Sequence, residues 1–199
     1  MLSNSLTPGV NGESSFEATL LQRAPGCQVW GYDFSVSSFG PEIEDVPNLK
    51  QRSHFYPYAL GPKNDHGPGV HPPMYTLTKL MEINGHDFID ILKIDIEGAE
   101  FDSLITFIED FATNKHPHAP GHNGGSLPIG QLQIEIHARE DTHYHEFAPF
   151  KRWWERLEKA GLRPFWTEPN LVYVNLIRGA RPDLTEVRPF SPSHAHLIV

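Results

Sequence analysis

Cysteine is almost absent: the chain of 199 residues holds one, Cys27. No internal disulfide can form, which suits a reducing compartment. Cations are also in short supply, with 16 Lys and Arg against 25 Asp and Glu and a formal net charge of −9. A chain so poor in clustered Lys and Arg does not suit a nucleic-acid phosphate backbone, so no nucleic-acid partner is expected. No apolar run approaches the roughly 20 residues that span a bilayer, so no membrane span is expected. The opening residues MLSNSLTPGV lack the charged start and apolar run of a signal peptide. A cytoplasmic location is the resulting expectation.

What is present describes an ordinary globular protein. Hydrophobic residues make up 39%, aromatic residues 11% and charged residues 21%, and the length suits one domain with a sizeable core. The 18 prolines and 16 glycines predict long loops. No internal repeat is visible. Residues 1–178 read as a single domain and 179–199 as a C-terminal tail.

Short apolar runs alternate with helical patterns, which predicts a mostly parallel sheet covered by helices. Helices are predicted over 14–24, 75–84, 98–111 and 147–160. Phe101, Leu104, Ile105, Ile108 and Phe111 form the apolar stripe of the third. Gly85 suits the C-terminal cap of the second. Strands are predicted over 28–34, 53–60, 88–94 and 129–136, with Pro57 weakening the second. Residues 164–167 and 171–177 read as a hairpin about Glu168, Pro169 and Asn170. Residues 35–52, 61–73 and 113–128 read as loops.

Three features carry chemistry. The first is the turn Gly9-Val10-Asn11-Gly12-Glu13 at the start of a helix. Its glycines let a ligand approach the backbone, and the helix offers free N–H groups. The second is Asp33, ending the strand QVWGYD about 20 residues beyond the turn, where an acid accepts hydrogen bonds from ribose hydroxyls. It also suits capping of the Ser-rich turn that follows. The third is the buried run into Ile94-Asp95-Ile96-Glu97-Gly98-Ala99-Glu100. Ligands in open α/β sheets bind outside the C-terminal strand ends, so Asp95 and Glu97 are positioned to order a substrate, act as a base or hold a metal. Glu97 and Glu100 equally suit the N-terminal pole of the following helix.

The segments LKIDIEGAEFDSL, NGESSFE, GYDFSVSSFG and LQIEIHA together resemble a methyltransferase-domain family of fungal and animal methyltransferase-like proteins. They are more distantly similar to FkbM-type S-adenosylmethionine-dependent methyltransferases, which carry a comparable K-I-D-x-E-G-x-E segment. The resemblance covers roughly residues 9–177. It implies a Rossmann-like, doubly wound, mostly parallel α/β sheet of the class I methyltransferase type, with S-adenosyl-L-methionine as cofactor. Carried over by position, it implies cofactor contacts at Gly9, Asn11, Gly12, Asp33, Phe34, Ala59, Leu60 and Asp95, with Tyr58-Ala59-Leu60 near the adenine and Asp95 at the methyl-donor end. Family members place an apolar strand before the NGESSFE turn. This chain has SNSLTPGV there, so the first strand is expected to be missing or degenerate, at a cost to stability and cofactor binding.

Glu135 and His137 alternate along the strand LQIEIHA and are expected beside Asp95 and Glu97. His137, Asp95 and Glu97 are the candidate catalytic residues, with His137 as general base toward a hydroxyl. A divalent metal and a purely structural role are the other readings of the same cluster. His116, His118 and His122, and the pair His143 and His145, read as solvated loops, so no metal ligand is assigned. The leading expectation is an S-adenosylmethionine-dependent methyltransferase acting on an O- or N-nucleophile. The acceptor, whether a small molecule or a glycan- or lipid-like group, is not legible, nor is the oligomeric state. A catalytically inactive binding module is the alternative. An NAD-type oxidoreductase is a third reading, opposed by the lack of a complete G-x-G-x-x-G.

Overall fold

A computed structural model describes residues 3–112, 127–139, 141–169 and 195–198. In chain order the elements are β1 (Ser3–Pro8), α1 (Ser15–Arg23), β2 (Cys27–Tyr32), α2 (Pro41–Glu44), α3 (Pro47–Lys50), β3 (Ser53–Tyr56), β4 (Ala59–Leu60) and β5 (Met74–Tyr75). There follow α4 (Leu77–Asn84), β6 (Ile89–Ile94), α5 (Glu100–Ala112), β7 (Ile129–Ile136), a 3₁₀ turn (His143–His145), α6 (Phe147–Lys159), β8 (Trp166–Pro169) and β9 (Ala195–Ile198). The main sheet has the order β3-β2-β1-β6-β7-β9-β8. Its first five strands run parallel, and β9 lies antiparallel to both β7 and β8. This is the doubly wound, Rossmann-like arrangement, with its topological switch between β1 and β6.

The first strand is therefore present, against the expectation that it is missing or degenerate. Residues 3–8 pair with β2 along their whole length and with β6 at Ser5 and Leu6. Their composition is polar, but their environment is not. Leu6 is fully buried in the core cluster with Trp30 and Leu92. Ser5 and Thr7 face the other way and are also buried, sharing a side with the ladder partner Val29, which packs with Ala18 and Leu21 of α1. Small side chains suffice there, and the Thr7 hydroxyl lies 3.4 Å from the Trp30 carbonyl. Pro8 falls at the strand end, where its missing N–H costs little and its carbonyl still accepts from the Asp95 N–H at 3.1 Å.

Helix α5 has a wider buried face than its stripe suggested. Phe101, Leu104 and Phe107 are buried, while Ile105, Ile108 and Phe111 are partly so. Gly85 caps α4 in the left-handed region, φ 69°. Residues 35–52, read as a loop, contain the two short helices α2 and α3, each opened by a proline. Strand β8 runs through Glu168 and Pro169, which the sequence suggested as turn; residues 171–177 lie outside the described residues. Its described partner β9 falls within the stretch read as a tail. Among the described residues no helix is long and apolar enough to cross a membrane.

Two buried groups mark this fold energetically. Glu17 of α1 is fully buried, and its nearest cation is Lys93 of β6 at 3.5 Å; burial pushes its carboxyl pKa up. His86 is buried edge-on against Trp30, ring centroids 4.2 Å apart, and burial lowers its pKa from 6.5 to about 4. A depressed imidazole pKa means the unfolded chain binds the proton more readily. Stability then falls as pH drops from about 6.5 toward about 4.

Two outcomes are expected. Leu6→Ala, which empties a buried site in the central strand, lowers unfolding free energy by about 2–5 kcal/mol in urea titration; a loss under about 1 kcal/mol contradicts the strand's core position. His86→Phe narrows the difference in urea midpoint between pH 7 and pH 5, and an unchanged difference shows that His86 does not carry that pH dependence.

Candidate active site

The site is built where β1, β2 and β6 end. After β1 the chain makes a turn in which Gly9 (φ 88°), Asn11 (φ 45°) and Gly12 (φ 71°) are all left-handed. At Gly9 a side chain is also sterically impossible, because a Cβ would overlap the Asp95 carbonyl oxygen. The turn thus lies directly against the end of β6. Asp33, just past β2, ties it from the other side: its Oδ2 accepts from the Asn11 N–H at 2.7 Å. Its Oδ1 accepts from the Ser35 N–H at 2.7 Å and the Ser35 hydroxyl at 2.6 Å. The capping role foreseen for Asp33 is therefore present, and the same carboxylate borders a cavity.

That cavity has a volume of about 350 Å³, within the range of small-ligand sites. Its lining includes Gly9, Asn11, Asp33, Phe34, Ala59, Leu60 and Asp95, together with Glu97. Gly12 does not line it; its carbonyl sits against Gly40 instead. Tyr32, Ser35, Met74, Ile96 and Ala99 line the cavity without having been singled out by sequence. Tyr58 contributes an aromatic wall, stacked on Tyr56 with ring centroids 5.5 Å apart and tilted against Tyr75 at 4.8 Å.

The rim beyond Asp95 is polar. His137, at the end of β7, is buried, and its Nδ1 lies 2.7 Å from Glu100 Oε1. Its Nε2 lies 3.8 Å from Asp95 Oδ1, 3.8 Å from Glu97 Oε2 and 3.9 Å from Glu135 Oε1. The structure thus brings His137, Asp95 and Glu97 together. It also supplies a residue assigned only to the helix pole, Glu100. This carboxylate is fully buried. Besides His137 it accepts from the Ile96 N–H at 3.1 Å and the Gly98 N–H at 2.8 Å. The available signal was a first-turn acid after a glycine, a pattern whose side chain reaches back to free N–H groups.

Electrostatics follow from these contacts. Burial works to lower the His137 pKa, but the Glu100 hydrogen bond and the charges of Glu100, Glu97 and Asp95 outweigh it and hold it above its ordinary value. Burial and the Glu135 charge push the Asp95 carboxyl up. Glu97 sits at φ 57°, uncommon for a residue with a side chain. Arg139 fastens it: Nη1 donates to Glu97 Oε2 at 2.8 Å and Nη2 to the Glu97 carbonyl at 2.7 Å. Arg139 is a positioning residue that the sequence did not reveal. Asp95, Glu100 and His137 also place one donor atom each within 4.8 Å of one another. Of the histidine clusters, His143 packs on Tyr144 and His145 Nδ1 contacts the Thr142 carbonyl; His116, His118 and His122 lie outside the described residues.

A doubly wound sheet with a glycine turn, a strand-end acid and a cavity at the switch point defines the Rossmann-like methyltransferase class of fold. Residues 35–164 match the model of the methyltransferase FkbM domain, and the chain belongs to that family. Comparison with curated proteins gives no match. Among solved structures it is similar to the StiE O-MT, residues 961–1257, at 14% identity and a TM-score of 0.44, covering 98% of this chain and 66% of that one. It is similar to an O-methyltransferase family 2 protein from Planctomyces limnophilus DSM 3776, in complex with apigenin, at 11% identity and a TM-score of 0.44, covering 98% and 49%. It is also similar to the S-adenosylmethionine-dependent methyltransferase SibL at 12% identity and a TM-score of 0.39, covering 99% and 50%. The chain thus spans about two thirds of the first and half of the other two.

Replacing Glu100 by Gln removes one acceptor and the charge opposite His137. The expected outcome is a lower His137 pKa, read by NMR titration of the imidazole, and a stability loss of about 1–3 kcal/mol. An unmoved imidazole titration in a folded variant refutes the coupling.

Proposed function

We propose that this chain binds S-adenosyl-L-methionine in the cavity and transfers its methyl group to an O- or N-nucleophile presented at the Asp95–Glu97–His137 rim. The observation that carries the reading is the convergence of three strand ends on one cavity: Gly9 and Asn11 from β1, Asp33 and Phe34 from β2, and Asp95 from β6. The residues suit the cofactor. Gly9, without a side chain, and Asn11 line the cavity at the turn, Asp33 offers carboxylate oxygens toward ribose hydroxyls, and Tyr58, Ala59, Leu60 and Met74 offer an apolar wall for a purine. Gly12 acts indirectly, by shaping the turn.

The cofactor supplies a methyl group already activated by its sulfonium, so positioning contributes most of the rate. The carboxylates of Asp95 and Glu97 favour positive charge at that end of the cavity. When the acceptor is a hydroxyl, its oxygen forms the new bond to the methyl carbon and its proton passes to His137 Nε2. Glu100 holds the Nδ1 side of the ring and stabilises the imidazolium formed. S-adenosylmethionine, when bound, would supply the methyl group from its sulfonium and keep the C–S bonding electrons as a neutral thioether. The binding-module alternative rested on an incomplete first strand, and β1 is paired on both sides.

Calorimetric titration with S-adenosylmethionine and NAD side by side is the test. The first binds one-to-one and the second does not. Asp33→Ala weakens cofactor binding at least tenfold, about 1.4 kcal/mol, and Asp33→Asn less. Because Asp33 also holds the turn, ribose contact is isolated with S-adenosylhomocysteine and its 2′-deoxy analogue. The native protein prefers the former and Asp33→Ala loses that preference. A folded Asp33→Ala protein that keeps the native preference for S-adenosylhomocysteine over its 2′-deoxy analogue sinks the ribose assignment, and absence of cofactor binding sinks the methyltransferase reading.

A further inference from the structure

Glu17 is a buried acid that the proposed reaction leaves unused. It lies in the first turn of α1, close after the glycine turn, with no exposed surface. Among the described residues neither of its carboxylate oxygens has a hydrogen-bond partner. A charge in such a place needs an opposite charge beside it. Lys93 provides one, with Nζ 3.5 Å from Glu17 Oε1 and 5.8 Å from the centroid of the neighbouring Phe16 ring.

Lys93 is also tied to the site. It precedes Asp95 by two residues, and side chains two apart along a strand share a face. The strand's hydrogen bonding continues to Asp95, whose N–H donates to the Pro8 carbonyl at 3.1 Å. The Lys93 charge acts at Asp95, where it draws the carboxyl pKa down against the upward push of burial and Glu135. It acts on Glu13 of the turn as well. One cation is therefore shared between a buried acid under α1 and the acid that borders the cavity.

We infer that the Glu17–Lys93 pair sets the preference of the cavity for the cationic cofactor over its neutral thioether product. While Glu17 is charged it neutralises Lys93, and Asp95 keeps its attraction for a sulfonium. Without the Glu17 charge, Lys93 acts on Asp95 unopposed and cancels part of that attraction. Neither residue lines the cavity, so both are positioning residues that act through Asp95. The inference deepens the methyl-transfer reading, on which it rests: a site that loses this preference is more readily blocked by its own product.

Calorimetry of the full chain tests it, as the ratio of dissociation constants for S-adenosylmethionine and S-adenosylhomocysteine. The titrations are run at pH 8, to keep Glu17 ionised despite its burial. A structural loss weakens both ligands together, whereas a change of charge moves the ratio. Glu17→Gln is expected to shift the ratio about threefold or more toward the product. Lys93→Met gives no such shift, and Glu17→Gln combined with Lys93→Met returns the ratio to within about twofold of native. Folding of each variant is checked by circular dichroism, and Glu17→Met replaces Glu17→Gln if the latter does not fold. An unmoved ratio in the folded single variant at Glu17 overturns the inference and leaves the cofactor reading standing. So does a double variant shifted as far as Glu17→Gln. A native chain that binds neither ligand overturns the cofactor reading and this inference with it.

Discussion

The buried carboxylate of Glu100 is the contact on which the polar half of this site depends. A charge without solvent costs several kcal/mol unless hydrogen bonds replace its hydration. Glu100 has three such partners: two backbone N–H groups of the β6–α5 turn and the His137 ring. Hydrogen bonds to charged groups contribute about 1.5–3 kcal/mol each, so three of them roughly offset the burial. The arrangement has little surplus energy and much geometric content. One side chain fixes the shape of the turn that carries Asp95 and Glu97, and it fixes which imidazole nitrogen faces them.

The apolar half depends on β1. Its strand end delivers Gly9 so close to β6 that no side chain fits between them. From there the left-handed turn leads back toward Asp33, whose carboxylate accepts from Asn11. The glycine turn, Asp33 and the end of β6 are thus one hydrogen-bonded unit, not three separate motifs. Gly12, outside the cavity lining, belongs to the same left-handed turn at φ 71°.

Much of this was legible in the sequence because it is periodic. The apolar runs of β6 and β7 and the amphipathic helices α5 and α6 follow local patterns that need no tertiary context. The first strand was not legible, since Ser5 and Thr7 are accepted in the interior only because α1 packs over small residues there. Eight of the nine residues carried over from the resemblance border the cavity, Gly12 being the exception, as position at strand ends is a property of the fold. Glu100 keeps the helix-pole position read for it, but its bond to His137 was not legible, because a first-turn acid looks the same whether it serves a helix pole alone or also reaches a histidine. Arg139 gave no sequence signal: its partner Glu97 is 42 positions away.

The rim poses one further constraint, which orders the proposals made for it. Asp95, Glu97 and Glu135 each place an oxygen within 3.9 Å of a single nitrogen. Like charges gathered around one nitrogen repel one another, and Arg139 pairs with Glu97. The cluster therefore favours any positive charge brought to it. A proton on His137 is the first claimant, consistent with the raised imidazole pKa. In the reading proposed above, the sulfonium of S-adenosylmethionine is the second, acting at Asp95 from the cavity side, since Asp95 borders both the cavity and the rim. A base role for His137 requires the ring to be neutral as the acceptor proton leaves. In the proposed reaction a sulfonium beside Asp95 would supply part of the positive charge that the proton otherwise provides, which would couple cofactor binding to proton acceptance through that one carboxylate.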